Sequence, residues 1–230
     1  MNKKKLIVIA AHPDDEIIGC GGTLLKLQKQ KYEINLVFIA DGVLGKISKK
    51  INEKQIANKI KLREEKARIV AKKLNVKNIF FLKYPNLQLH NSDKLEIVKK
   101  LINILNLIKP DTVFIHSNKD LNPDHRIGNE CSITALRPTL KKNPSSIYAF
   151  EIPSSTDWAL GQFGVFKPNL FFDIEKEFKQ KNKLLDIYKS ELWKYPHPLS
   201  KKYLKHHSMV VGSPHCLKYC ERFEVIKVCL

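Results

Sequence analysis

The stretch Leu6-Ile7-Val8-Ile9-Ala10-Ala11-His12-Pro13-Asp14-Asp15-Glu16 decides how the rest of the chain is read. Its first half is uniformly apolar and rich in β-branched residues, the pattern of a strand buried on both faces of a parallel sheet. The acidic half therefore falls at the strand's carboxyl end, where open α/β sheets bind ligands close to a switch in strand order. Pro13 fixes one φ and stops the strand, which makes a rigid corner of the polar residues around it.

His12 and Asp15 offer a nitrogen and an oxygen donor three residues apart across a tight turn, so both can reach one cation. Asp14 then stands beside the metal, where an unliganded carboxylate can take the proton of a metal-bound water whose pKa is lowered to about 7. A plainer reading competes with this one. Asp14, Asp15 and Glu16 also fall where the first turn of a helix favours negative charge. A third ligand elsewhere in the chain would separate the two.

Beyond the corner, strands alternate with amphipathic segments. Helical periods are expected over Thr23 to Lys31, Glu53 to Leu74, Leu95 to Ile108, Ile127 to Leu136 and Glu175 to Lys194. Strands are expected over Ile34 to Ala40, Ile79 to Leu82, Thr112 to Ile115, Ser145 to Ile152, Leu170 to Ile174 and Phe223 to Val228, with a basic loop from Val43 to Asn52. The pattern predicts an α/β fold: a Rossmann-like, doubly wound, mostly parallel sheet with helices on both faces. No Ser/Gly/Pro-rich linker divides the 230 residues, so a single domain over 1–230 is expected. Gly19-Cys20-Gly21-Gly22 is not a dinucleotide fingerprint, because that motif directly follows its strand and here His-Pro-Asp-Asp intervenes.

The fourth strand runs into His116-Ser117-Asn118-Lys119-Asp120-Leu121-Asn122-Pro123-Asp124-His125-Arg126, a second polar knot at the carboxyl end of a strand. His125 can supply the third ligand, with Asp124 placed to orient a neighbouring imidazole. His116 is the rival; as a direct extension of the strand it reads better as a hydrogen-bonded wall residue. Two knots on parallel strands converge readily, so together they favour a metal site over two helix caps.

The formal charge of +18 raises the question of nucleic acid. All but five of the 41 basic residues are lysine, and they are spread over nearly every helix, whereas base and phosphate recognition favours arginine forks and clustered stripes. A solvated basic surface is expected, and no nucleic-acid partner. Lys3-Lys4-Lys5 before a short apolar run mimics a signal peptide but is too short, and no run approaches a membrane span. The five scattered cysteines argue against a disulfide framework, so a cytoplasmic protein is expected.

With both knots in view, the chain resembles the LmbE-like, or PIG-L, family of zinc-dependent N-deacetylases. The resemblance rests on Ala10 to Glu16, Pro123-Asp124-His125 and the helix carrying Arg63-Glu64-Glu65. It continues through Tyr148-Ala149-Phe150-Glu151, Lys167-Pro168-Asn169, Tyr188-Lys189-Ser190-Glu191 and Glu221-Arg222-Phe223. It implies a zinc ion on His12, Asp15 and His125, Asp14 as general base, and Arg63 and Asn86 in contact with sugar hydroxyls. Two positions depart from the family pattern. Asn122 stands where many members have a histidine that assists the tetrahedral intermediate; an amide can donate to an oxyanion but cannot carry a proton. Asn86 stands where aspartate is frequent.

The carboxyl third is less sharply marked. Trp158, Phe163 and Phe166 sit in a Gly/Ser-rich loop and read as core packing, with sugar stacking as the alternative. His197, between Pro196 and Pro198, reads as a surface-loop residue, with a place over the metal as the alternative. His206, His207, His215, Cys216 and Cys220 show no two-plus-two zinc pattern and read as structural. The function expected is metal-dependent removal of an acetyl group from an N-acetylated sugar or glycoconjugate, as a monomer or homo-oligomer. The competing classes are a binding protein for anionic glycan or nucleic acid, a hydrolase of another amide, and an iron(II) oxygenase; the last usually occupies a jelly roll.

Overall fold

In the computed structural model, which describes residues 3–43 and 52–229, the opening apolar run forms β1 (Lys5–Ala10), an interior strand of the sheet. The expected basic loop from Val43 to Asn52 lies outside the described residues except at its two ends. β1 pairs in parallel with β2 (Glu33–Ala40) on one side and β4 (Thr112–His116) on the other. β3 (Asn78–Tyr84) and β5 (Ser146–Phe150) extend the parallel set, and β7 (Cys220–Val228) runs antiparallel between β5 and β6 (Leu170–Asp173). The spatial order is β3-β2-β1-β4-β5-β7-β6.

The chain therefore steps outward from β1 to β2 to β3 and then crosses back to β4. Right-handed crossovers place helices on opposite faces when the direction of travel reverses. α1 (Asp15–Lys29) and α2 (Glu53–Lys73) cover one face, where Leu24, Ala67 and Val70 pack on Leu6, Val8 and Ala10. α3 (Lys94–Ile108) and α4 (Pro123–Ala135) cover the other, where Ile97, Leu101 and Ile127 pack on Ile7 and Ile9. The split of β1 between two cores is what a strand buried on both faces requires. The reversal opens a crevice between the ends of β1 and β4, where both polar knots emerge.

Several boundaries differ from the sequence reading. α1 starts at Asp15, not Thr23, and takes in the glycines. They are there for close packing: a Cβ on Gly22 would lie 2.7 Å from Ile174 Cδ1. The helix kinks at Cys20 (φ −141°), and the N–H groups of Gly22 and Thr23 donate to the Glu221 carboxylate at 2.8 and 2.7 Å. α4 starts at Pro123, not Ile127, which brings His125 into the first turn and makes Asn122 its cap. The helix expected to reach Lys194 stops as α6 (Glu175–Leu185).

Two further helices, α5 (Pro153–Asp157) and α7 (Lys201–Gly212), were not anticipated. α7 is capped by Ser200, whose hydroxyl accepts from Tyr203 N–H, but its inward face carries Ser208 and Gly212 beside Leu204 and Val211, which blurs the apolar period. Among the described residues no helix is long and apolar enough to cross a membrane.

Candidate active site

The crevice is bridged at its base by Ala11 N–H donating to His116 Nε2 at 2.9 Å. Above it the chain turns sharply. Asp14 has φ 124° and ψ −31°, a backbone region that costs an L-residue energy and persists only where surroundings enforce it. The enforcing contacts combine a local bond with ties to distant parts of the chain. Asp14 N–H donates to Glu16 at 2.9 Å, and Tyr188 donates its hydroxyl to the other Glu16 oxygen at 2.8 Å. Glu16 is fully buried, and burial pushes its carboxyl up to about 8.

Arg63 supplies the second restraint. Its Nε donates to Pro13 O at 3.1 Å, its Nη1 to Gly42 O and Glu191 Oε2 at 2.7 Å each, and its Nη2 lies 3.0 Å from Asp14 Oδ1. Gly42 (φ 73°) allows this approach, since a Cβ there would meet the guanidinium at 2.8 Å. Burial raises the Asp14 carboxyl to about 6, against the pull of the Arg63 cation.

His12, Asp15 and His125 each direct one ligand atom to a common point, the three atoms lying within 4.8 Å of one another. Asp15 Oδ2 sits between the rings, 3.2 Å from His12 Nδ1 and 3.5 Å from His125 Nε2. Carboxylates behind the rings decide which nitrogen faces inward. Asp124 takes His12 Nε2 at 3.1 Å, as its place in the knot suggested, and Asp120 takes His125 Nδ1 at 3.1 Å. Asp120 also accepts from Ser155 Oγ at 2.9 Å and Thr156 Oγ1 at 3.1 Å.

Among the described residues His125 Nε2 is buried with no hydrogen-bond partner, the condition of a nitrogen shaped for a cation rather than for protein. Two imidazoles and a carboxylate, each ring fixed by a second carboxylate, fit a borderline divalent ion. The charges agree. Burial opposes protonation of His125, but Asp120 and Asp15 outweigh it and push the imidazole well above its ordinary value, so the spot draws positive charge. Burial would raise the Asp15 carboxyl, yet His125 and His116 hold it well below the usual carboxylate range. His116 stacks on His125 at 4.0 Å and gives its Nε2 lone pair to Ala11, which suits the wall role.

A cleft of about 310 Å³ opens over these groups. Asp14, Arg63, Asn86 and Asn122 all line it, so every residue singled out in the sequence for the site is gathered here. Asn122 Oδ1 accepts from Asp124 N–H at 2.9 Å, which assigns the carbonyl to the helix cap and leaves the amide nitrogen for the cleft. Arg63 is only 8% exposed and bonded mainly within the chain, so its part includes holding Asp14, which its position in α2 did not reveal.

His197 and Trp158 belong to the cleft wall, not to a surface loop or the core, and Trp193 joins them. Phe163 is also outside the core, lying over the Arg126 guanidinium at 3.8 Å. Asp120, Ser155, Tyr188 and Glu191 were missed as supports. The signals were present: Asp120 lies in the second knot, and Tyr188 and Glu191 in a segment marked by the family resemblance.

The family model described as PIG-L, GlcNAc-PI de-N-acetylase, matches residues 7–136, the span from β1 through α4 that holds both knots. The chain belongs to the PIG-L family. A diacetylchitobiose deacetylase of Thermococcus kodakarensis is 28% identical over 225 residues, covering 95% of this chain and 81% of the relative. The solved N,N'-diacetylchitobiose deacetylase from Pyrococcus horikoshii, complexed with its inhibitor MPG, superposes with a TM-score of 0.78 at 25% identity, over 98% of this chain and 84% of that one. A 4-carboxy-2-hydroxymuconate hydratase from Pseudomonas putida reaches 0.77 at 21% identity, over 99% and 98% of the two chains. The PIG-L fold thus also carries a different reaction in that protein, and the activity has to be argued from the site.

Proposed function

We propose that this PIG-L family member is a zinc-dependent N-deacetylase that hydrolyses the acetamide of an N-acetylated sugar or glycoconjugate, releasing a free amine and acetate. The observation that carries the reading is the convergence of His12 Nδ1, Asp15 and the unpartnered His125 Nε2 beside a strained, buried Asp14. The family match and the two deacetylase relatives support it. The α/β sheet disfavours the oxygenase alternative. The five free cysteines fit a reducing compartment such as the cytoplasm.

In this reading His12, Asp15 and His125 hold the ion, and Asp120 and Asp124 fix the two rings. A bound zinc ion would polarise the acetamide carbonyl and make water more acidic. Asp14 takes the proton of the attacking water and hands it to the departing amine nitrogen, as a base with its carboxyl raised toward neutrality can. Asn122 Nδ2 donates to the carbonyl oxygen as negative charge develops there. Arg63 and Glu16 keep the Asp14 carboxylate aimed, while Asn86 faces the sugar hydroxyls.

The test pairs metal analysis of the purified protein with a free-amine assay on N-acetylglucosamine and N,N'-diacetylchitobiose. About one zinc per chain and amine release are expected, and Asp14→Asn should keep the zinc while lowering kcat by about 10² or more. Loaded protein that releases no amine from any N-acetylated sugar, or a zinc-loaded Asp14→Asn enzyme with normal turnover, overturns the reading.

A further inference from the structure

The kink in α1 divides the helix into residues 15–19, which open with Asp15 and Glu16, and residues 21–29, which pack along the sheet. An unbroken helix would close its ladder here by donating Gly22 N–H to Ile18 O, four residues back. Each end of that bond is instead taken by a side chain from the carboxyl third of the chain. Gly22 N–H donates to Glu221 Oε1 at 2.8 Å, and Ile18 O accepts from Lys181 Nζ at 2.9 Å. Lys181 and Glu221 then join one another, Nζ to Oε1 at 2.6 Å. An ion pair from α6 and β7 is thus inserted into the i to i−4 ladder of a third element.

Both side chains are buried. Burying two charges carries a desolvation cost that apolar side chains of similar volume avoid, so a fold in need of stability alone gains little from the pair. What the pair does supply is a carboxylate for the stranded N–H groups of a helix start and an ammonium for a stranded carbonyl. Thr23 N–H completes the first set, donating to Glu221 Oε2 at 2.7 Å. The pair is therefore matched to the break itself, and the break is what the chain gains from it.

The break also lies within one turn of the site. Ile18 O accepts from Lys181 while Ile18 N–H donates to Asp14 O at 2.9 Å, so the two peptide groups of a single residue link the ion pair to the strained aspartate. Ile17 N–H donates to the same Asp14 oxygen at 3.0 Å. Asp15 stands one turn before Ile18 on the same short segment, and its Oδ2 accepts from His12 N–H at 2.8 Å. Residues 21–29 are fixed in the core by Leu24, Leu25 and Leu27, so straightening α1 across residues 18–22 would re-aim residues 15–19 and leave the rest in place. Resting on the deacetylase reading, we propose that Lys181 and Glu221 are positioning residues: their ion pair keeps α1 broken, and the break sets where Asp14 and Asp15 stand in the cleft.

The experiment measures zinc affinity by competition with a chelator, together with kcat and KM for amine release from N-acetylglucosamine, in Lys181→Met, Glu221→Gln and Lys26→Met. Lys26 is the control, because its Nζ donates to Asp173 O at 2.7 Å and ties α1 to β6 beyond the break. In Lys181→Met and Glu221→Gln zinc should bind about 10- to 100-fold more weakly, with a fall in kcat of similar size and a smaller change in KM. Lys26→Met should keep zinc affinity to within about twofold even where its melting temperature falls. Folded Lys181→Met and Glu221→Gln proteins with wild-type zinc affinity overturn the proposal whatever their melting temperatures, and so does an equal loss of affinity in Lys26→Met. The double variant Lys181→Leu/Glu221→Leu supplies an apolar pair where the single variants do not fold, and its crystal structure gives the test without metal or turnover. There α1 should run straight, with Gly22 N–H on Ile18 O and Asp15 Oδ2 displaced by about 1 Å or more. A break that persists with Asp15 in its present place overturns the proposal. A wild-type protein that binds zinc and releases no amine defeats the deacetylase reading alone, since zinc affinity and the course of α1 are read without turnover.

Discussion

Arg63 Nη2 lies 3.0 Å from Asp14 Oδ1, and the same guanidinium holds Pro13 O on one side of that aspartate and Gly42 O on the other. Three strands of chain meet in one planar fork. A lysine can restore the charge but not the fork, because its ammonium is a single point donor group. Arg63→Lys should therefore lower kcat by on the order of 10- to 100-fold through misplacement of Asp14, with a smaller change in KM. Zinc content should stay at the wild-type level, since Arg63 touches none of the three donor atoms. Steady-state kinetics with metal analysis decides it, and a variant with normal kcat and a raised KM would return Arg63 to a purely sugar-binding role.

The donor set makes its own prediction. Alanine at His12, Asp15 or His125 should empty the site, whereas His116→Ala should retain metal, because His116 Nε2 is spent on Ala11 N–H. Asp120→Asn should load zinc with about 10- to 100-fold weaker affinity, since the carboxylate that fixes His125 Nδ1 is lost. Competition with a chelator of known affinity measures this. Full metal content in His125→Ala together with loss in His116→Ala would reverse the assignment of the third ligand.

The parts of this site that were legible in the sequence are those carried on single elements. β1 leads into His12 to Glu16 and β4 leads into Asp120 to His125, and a parallel sheet aligns such ends, so the convergence of His12, Asp14, Asp15 and His125 could be read from two short segments. The sheet was legible for the same reason, through its uniformly apolar strands. What was hidden depends on pairs far apart in the chain. Tyr188 bonds Glu16 at a separation of 172 residues and Glu191 bonds Arg63 at 128, contacts that no local period encodes. The aromatic residues of the cleft wall were hidden in the same way, because Trp158 and the turn of Trp193 and His197 lie in irregular segments whose facing is set only by the folded chain.

His207 gives a pH signature separate from catalysis. It is half-buried beside Arg222, whose Nη2 lies 3.4 Å from His207 Nε2, while Glu151 is already engaged by Arg222 through two bonds of 2.6 and 2.9 Å. Burial first, and then the Arg222 cation, pull the imidazole from 6.5 down to about 4. Because the folded value lies below the unfolded one, the unfolded chain binds the extra proton. The stabilisation is fully present above pH 6.5 and is lost as pH falls toward 4. With about 1.4 kcal/mol per unit, the loss between pH 6.5 and pH 4.5 is on the order of 2 to 3 kcal/mol. Denaturant midpoints at pH 7 and pH 4.5 should fall less in His207→Gln than in the wild type, and parallel declines would remove His207 from the account.

Asn122 separates a structural duty from a chemical one within a single side chain. Its Oδ1 accepts from Asp124 N–H at 2.9 Å and caps α4, so its Nδ2 is the group presented to the cleft. Aspartate caps a helix as well as asparagine does but has no N–H to give and adds negative charge where an oxyanion forms. Asn122→Asp should therefore keep the unfolding free energy to within about 0.5 kcal/mol while lowering kcat by about 10² to 10³. Asn122→Ala removes both functions and should lose about 1 kcal/mol of stability in addition to a similar loss of kcat. His197 is the rival for assistance to the leaving group, and the same pair of variants separates them. If His197 carries that step, Asn122→Asp should turn over nearly as fast as the wild type, and the family's usual histidine has been replaced in function by another residue of the same cleft. An Asn122→Asp enzyme that is stable, zinc-loaded and slow places the oxyanion donor on Asn122 itself.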